Sequence, residues 1–417
     1  MSKSKTNWQI VLITACMITG NLIGAGILGL PINTGLAGFF PSLIAMVAGG
    51  AMMFFTALIL GNQVQLNREQ ASFDYPSLYQ KYFGNIGKWV AVAANIVILY
   101  GLLTAYFTGG AKVLSSMVGI NDENLPLFLC FAGFLIVITC INLKFIQKLN
   151  TVFIIFLGAA FAILTFIGSS HVKPVQLSYQ DWDFLPATLP IIVTAFHFHN
   201  IIPVVVAELQ YDVAAFKRSV MLGMLLAFVM NMTWVAVGIG VLPLTGENSI
   251  LQSYQSNIPA TVPMGIQLNS VVFTLVASLF AIVAICTSFL ANGVGLMNFI
   301  KDLLLGSKLP TPRPLVVFLT FAPPLFTAIF YPDIFLKALN VVGGIGIITL
   351  FGILPAGITL MNKSLGKGIK IAAAVTLLFA GSVLVVEVMQ EVGMLQLQPH
   401  VEYHQVDFDT TPPQPRN

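Results

Sequence analysis

Eleven apolar runs of bilayer-spanning length follow one another along 417 residues with hardly a charge inside them, and this fixes the class of fold. About 20 mostly apolar residues let an α-helix cross the hydrocarbon core. Lipid offers the backbone no hydrogen-bond partners, so such a chain has to satisfy its peptide groups within helices. The runs lie near residues 8–33, 39–63, 86–111, 125–143, 150–168, 187–208, 218–243, 270–300, 314–331, 334–361 and 369–390. The chain therefore reads as an all-α integral membrane protein with 11 transmembrane helices. Only 8% of its residues are charged, against the ~25% of an ordinary soluble domain. Its mean hydropathy is +0.89.

Lys3 and Lys5 precede the first run, as in a signal peptide. That run continues from Trp8 to Pro31, longer than the roughly 7–15-residue apolar region of a signal, so a retained first span is expected. With the N-terminus in the cytoplasm, 15 of the 19 Lys and Arg fall on inner segments, and Lys112, Lys173, Lys337 and Arg416 on outer ones. This bias sets the orientation and places the C-terminal tail outside. The tail, residues 391–417, is polar and Pro-rich and reads as flexible. Cys16, Cys130, Cys140 and Cys286 lie in apolar runs without metal-ligand spacing and read as small core hydrophobes. No cofactor and no nucleic-acid partner is expected: the chain has no phosphate loop, HExxH, nucleophile elbow or basic-aromatic surface.

Two spans are interrupted at mid-membrane. In the first, Gly20-Asn21-Leu22-Ile23-Gly24-Ala25-Gly26 places three glycines in seven residues, each costing roughly 1 kcal/mol against alanine in a helix interior. In the sixth, Phe196-His197-Phe198-His199-Asn200 is followed by Pro203, which lacks an N–H and frees the carbonyl of His199. Interrupted spans in corresponding positions point to a solute site between two inverted repeats. Residues 8–168 and 187–361 would form the five-helix repeats, with one extra helix at 369–390, all in one transport domain over 1–390.

At the first break, Gly20, Asn21, Gly24, Ala25 and Gly26 could offer backbone N–H and C=O groups to a ligand's charged ends; close helix packing would also explain the small residues. His197 and His199 are ionisable at membrane depth, which makes them candidates for reversible protonation. A neutral histidine bonded to a neighbouring helix is the alternative. On a regular helix two residues apart point about 200° from each other, so both reach one cavity only if the helix unwinds. Phe196 and Phe198 could stack on an aromatic ligand or simply pack. Tyr106 offers a hydroxyl in span three or an interfacial anchor. Thr287 and Ser288 in span eight could complete a sodium site or bond their own helix.

Together with Leu103-Thr104-Ala105-Tyr106, Phe196-His197-Phe198-His199 and Thr287-Ser288-Phe289-Leu290, the stretch from Gly20 to Pro31 resembles the bacterial hydroxy and aromatic amino acid permeases, of the tyrosine and tryptophan type. The resemblance spans about residues 8–390. It implies membership of the amino acid, polyamine and organocation superfamily, with the LeuT-like fold of two inverted five-helix repeats. It further implies import of an aromatic amino acid across the bacterial inner membrane, by alternating access, with a proton. Carried over by position, the first break would hold the substrate's amino and carboxyl groups, and Tyr106, Phe196 and Phe198 would enclose its side chain, beside His199. Two positions depart from the family. His197 stands where a glycine usually lies, and residues 150–168 lack the lysine some proton-coupled relatives carry. The coupling ion is therefore open between a proton on His199 or His197 and sodium at Thr287 and Ser288. A non-accumulating facilitator or a sensor is the other alternative, and no enzyme activity is expected.

Overall fold

In a computed structural model the chain is described over residues 8–24, 26–68, 73–120, 124–140 and 143–401. Ala25 and residues 402–417 thus lie outside the described residues. Polar residues at the ends of the apolar runs start the helices as their chemistry dictates. Asp74 accepts from Ser77 N at 2.8 Å, Asp212 from Ala214 N and Ala215 N at 2.8 and 3.1 Å, and Ser270 from Phe273 N at 3.3 Å. In chain order the helices are α1 (Trp8–Leu22), α2 (Gly26–Gly35), α3 (Phe39–Leu66), α4 (Tyr75–Val118), α5 (Leu125–Cys140), α6 (Leu143–Ser169), α7 (Leu185–Ala195) and α8 (Ile202–Glu208). There follow α9 (Val213–Val241), α10 (Ile250–Gln255), α11 (Thr261–Leu268), α12 (Val271–Gly306), α13 (Arg313–Phe330) and α14 (Phe335–Val341). A π-helical segment (Val342–Ile353), α15 (Leu354–Met361) and α16 (Lys367–Glu391) complete the series.

Among the described residues, eight helices are long and apolar enough to cross a membrane, or nine if α1 and α2 form one bent span. Leu125–Cys140 and Ile155–Ser169 are apolar but shorter. Length and composition thus give fewer crossings than the eleven apolar runs. Large apolar side chains such as Ile86, Phe166, Val271, Phe330 and Leu378 are exposed. That much apolar surface fits lipid rather than water. Cys16 and Cys130 are exposed as well and Cys140 is half-buried, so only Cys286 is a core hydrophobe. The apolar runs carry cysteines on outward faces because lipid accepts them as readily as the core does.

Both interruptions are present. The axis turns by 57° between α1 and α2. Between α7 and α8 the backbone leaves the helix at Phe196 (φ −100°, ψ 13°) and Phe198 (φ −139°, ψ 9°), and a single 3₁₀ turn, His199–Ile201, leads into α8. A further kink lies in α4 at Gly84 (φ 65°, ψ −157°), so the expected span at 86–111 is the part beyond it. The helices α1 and α2 pack on α9, α2 on α7, α7 on α3 and the π segment, and α12 on α4 and α6. Trp234, Phe161 and Phe280 meet at 6.2–6.5 Å where α9, α6 and α12 converge.

Candidate substrate site

The two breaks touch. A Cβ added to Gly26, at the start of α2, would lie 3.5 Å from Ala195 Cα, at the end of α7. Around this contact is a cavity of about 220 Å³. From the first break it is lined by Met17, Gly20, Asn21, Leu22, Gly24 and Gly26; from the second by Thr194, His197, Asn200, Ile201 and Val204; and from α4 and α12 by Leu102, Tyr106, Thr287, Ser288 and Asn292. The C-terminal ends of α1 and α7 and the N-terminal end of α2 all reach this region. Their unpaired carbonyls and amides, with the attached helix dipoles, give it a negative and a positive side without a buried formal charge.

Tyr106 is almost fully buried and accepts from Asn292 Nδ2 at 3.3 Å, and the same amide donates to Ser288 O at 2.9 Å. Thr287 donates to Val283 O and Ala284 O of its own helix at 2.9 and 3.0 Å, which leaves its oxygen lone pairs as acceptors. Gly24 sits against α12: a Cβ there would be 2.8 Å from Ser288 Oγ. Small residues at the first break therefore let span eight approach it.

Of the residues singled out in the sequence, Gly20, Asn21, Gly24, Gly26, Tyr106, His197, Thr287 and Ser288 are brought together. Phe196, Phe198 and His199 point elsewhere and are fully buried. Phe196 stacks on Phe228 at 6.2 Å and lies beside Gly50. His199 Nε2 is 3.0 Å from Thr56 Oγ1 on α3, and its ring packs on Phe351 at 5.1 Å. His197 also meets Phe351 at 5.1 Å, and the two imidazoles lie nearly parallel, 6.1 Å apart. The unwinding brings their rings alongside each other, yet only His197 borders the cavity. The His199 carbonyl, which Pro203 cannot serve, accepts from Ile202 N, closing the 3₁₀ turn, and from the Tyr75 hydroxyl.

Sequence reasoning missed Asn292, one helical turn beyond Ser288, although the i, i+4 spacing places both on one face of α12. Asn200 stood in the quoted motif without a role. Outside the cavity, Asp181, Asp183 and His400 form a group close enough to hold a metal ion. The oxygens of Asp181 already accept from Asp183 N, Phe184 N and His400 N at 2.7–3.1 Å, so the group is spoken for by loop structure.

A family model for tryptophan/tyrosine permeases matches residues 7–396. The chain belongs to the tryptophan/tyrosine permease family. Among curated relatives, this permease is 30% identical to the tyrosine-specific transport system 1 of Haemophilus influenzae over 78% of its own length and 82% of that protein. It is 26% identical to the tryptophan-specific transport protein of Shigella flexneri, over 78% and 81% of the two chains. It is also 26% identical to glutamine transporter 2 of Aliivibrio fischeri, over 90% and 98%. Its membrane-crossing helices and broken spans are thus those of a multi-pass permease.

Proposed function

We propose that this permease imports an aromatic amino acid, tyrosine or tryptophan, across the bacterial inner membrane by proton symport with alternating access. In this reading eleven spans cross the bilayer. Two inverted five-helix repeats of the LeuT-like kind, about 8–168 and 187–361, enclose the site, and α16 is the extra helix. The N-terminus is cytoplasmic and the tail outside. The observation that carries the reading is a cavity that both broken spans border at their point of contact. A zwitterionic substrate needs both ends satisfied away from water. Its carboxylate fits the amide end of α2, around Gly24 and Gly26, and its ammonium fits the carbonyl ends of α1 and α7. Tyr106 and His197 then meet the side chain, with Phe196 and Phe198 as packing behind it. His197, at the cavity's edge, and His199, one layer behind, are the histidines proposed to carry the coupling proton.

Sodium coupling is the second reading, favoured by Thr287 and Ser288 standing against the first break. Labelled tyrosine uptake into proteoliposomes separates the two. Proton symport gives accumulation under an imposed inward proton gradient that persists when choline replaces sodium. Accumulation that needs sodium and ignores the proton gradient overturns it. Competition by unlabelled tyrosine, tryptophan, phenylalanine and glutamine fixes the substrate class, and preferential competition by glutamine would overturn the aromatic assignment.

A further inference from the structure

After Val342 the π segment has two adjacent glycines that face different neighbours. A Cβ on Gly343 would meet Pro190 O and Thr194 Oγ1 of α7 at 1.9 and 2.4 Å, and Thr194 lines the cavity. A Cβ on Gly344 would meet Glu387 Cγ, Cβ and Cδ of α16 at 2.6, 2.8 and 3.1 Å. Two consecutive glycines therefore bridge a carboxylate on the extra helix and the first half of span six, in a corner where α16 also packs directly on α7.

Glu387 is 4% exposed. Its charged neighbours are Glu391, one turn further along α16, and Lys337 of α14. Lys337 Nζ pairs with Glu391 Oε2 at 3.1 Å. Among the described residues no cation lies within ion-pairing distance of Glu387. Tyr254 of α10 also faces the two carboxylates; burial first, then Glu387 and Glu391, push its phenol up, so it meets them neutral. The π segment, α7 and α15, which pack around this corner, hold no titratable side chain. Two carboxylates thus share one lysine, and the more buried of them is the one left without it. An ionisable side chain in a transmembrane segment marks a proton or ion path by default. A buried charge without a counter-ion is costly, so gaining or losing a proton here alters the packing of α16 on the π segment.

We propose that Glu387 binds and releases a proton during the transport cycle, and that its change of charge acts on α7 through the Gly343–Gly344 step. The proton comes from water on one face and returns to water on the other; only the carboxyl O–H bond forms and breaks. The inference rests on the proton-coupled reading above, and Glu387 is a positioning residue with no part in holding the substrate.

The test is Glu387→Gln in proteoliposomes, read two ways. Exchange of labelled for unlabelled tyrosine without any gradient stays near the wild-type rate, while gradient-driven accumulation falls by about tenfold or more, the size of an ordinary coupling between two sites. Glu387→Asp keeps a reduced gradient response with a shifted pH optimum. Protons taken up or released by purified protein when tyrosine is added give a readout independent of transport. They fall in the Gln variant, and this decides the matter if exchange is lost too. A Gln variant that accumulates tyrosine like the wild type, or moves as many protons, overturns this proposal alone. Wild-type exchange without any gradient response overturns the proton reading and Glu387's role together.

Discussion

Pro203 cannot donate to the His199 carbonyl as a helix would require; Ile202 N, closing the 3₁₀ turn, and the Tyr75 hydroxyl from a different helix donate instead. The His199 carbonyl is buried among aromatic rings and accepts from both Ile202 N and the phenol, so without the phenol it keeps one of its two donors where water is scarce. Tyr75→Phe is expected to lower stability by about 0.5–1.5 kcal/mol, seen as a lower unfolding temperature in detergent; an unchanged temperature would show that the bond from Ile202 N alone satisfies the carbonyl. The two histidines make a sharper contrast. His197 borders the cavity, whereas His199 is fixed between Thr56 and Phe351. His197→Ala should therefore raise the KM for tyrosine about tenfold or more with a stability change under about 1 kcal/mol, and His199→Ala should do the reverse, losing roughly 2–4 kcal/mol with a smaller change in KM. Uptake kinetics beside thermal unfolding of the same preparations check both. Equal KM effects would mean that the buried ring reaches the substrate after all.

At the level of elements, what could be read from the sequence was whatever is written locally. Three glycines in seven residues, and a proline four residues after a histidine, weaken a helix wherever they occur, so both breaks were legible. The Thr287-Ser288 pair and Tyr106 were found because hydroxyls stand out in apolar runs. Orientation was not legible at an unwound stretch, where helical periodicity no longer says which way a side chain points. Hence Phe196, Phe198 and His199 were grouped with His197, though only the last reaches the cavity. Contacts between distant segments were equally hidden. The glycine layer between α7 and α16 looks in sequence like any small-residue stretch, and Glu387 sits so near the end of its run that it reads as interfacial. That layer carries a prediction of its own. In Gly343→Ala the new Cβ would overlap a backbone oxygen of α7, which cannot rotate away, so the helices must separate. A loss of about 1–3 kcal/mol in stability and a clear fall in uptake are expected. Gly381→Ala on α16, where nothing lies within 4 Å, is the matched control and should be neutral or slightly stabilising. Equal tolerance of both substitutions would mean that α7 and the π segment are not in contact in the working protein.

For the molecule as a whole, the distribution of charge decides which way the cavity faces the cell. Of the four cations assigned to the outside, Lys112 is not a loop charge: it is buried in α4, pairs with Asp333 at 2.6 Å and donates to Ser256 O. That pair ties the end of α4 to the connections before α14 and after α10. Being neutralised by its partner, Lys112 carries little information about orientation, and removing it leaves the inward excess of Lys and Arg stronger. The orientation can therefore be tested on the loops alone. In a variant with the four cysteines replaced, a single cysteine at Lys173, between α6 and α7, should react with a membrane-impermeant thiol reagent in intact cells. A single cysteine at Lys308, between α12 and α13, should react only after the cells are opened. The same pattern from both positions would break the alternation that an eleven-span count requires between them, and the reverse pattern would invert the molecule and turn the proposed importer's cavity to the other side.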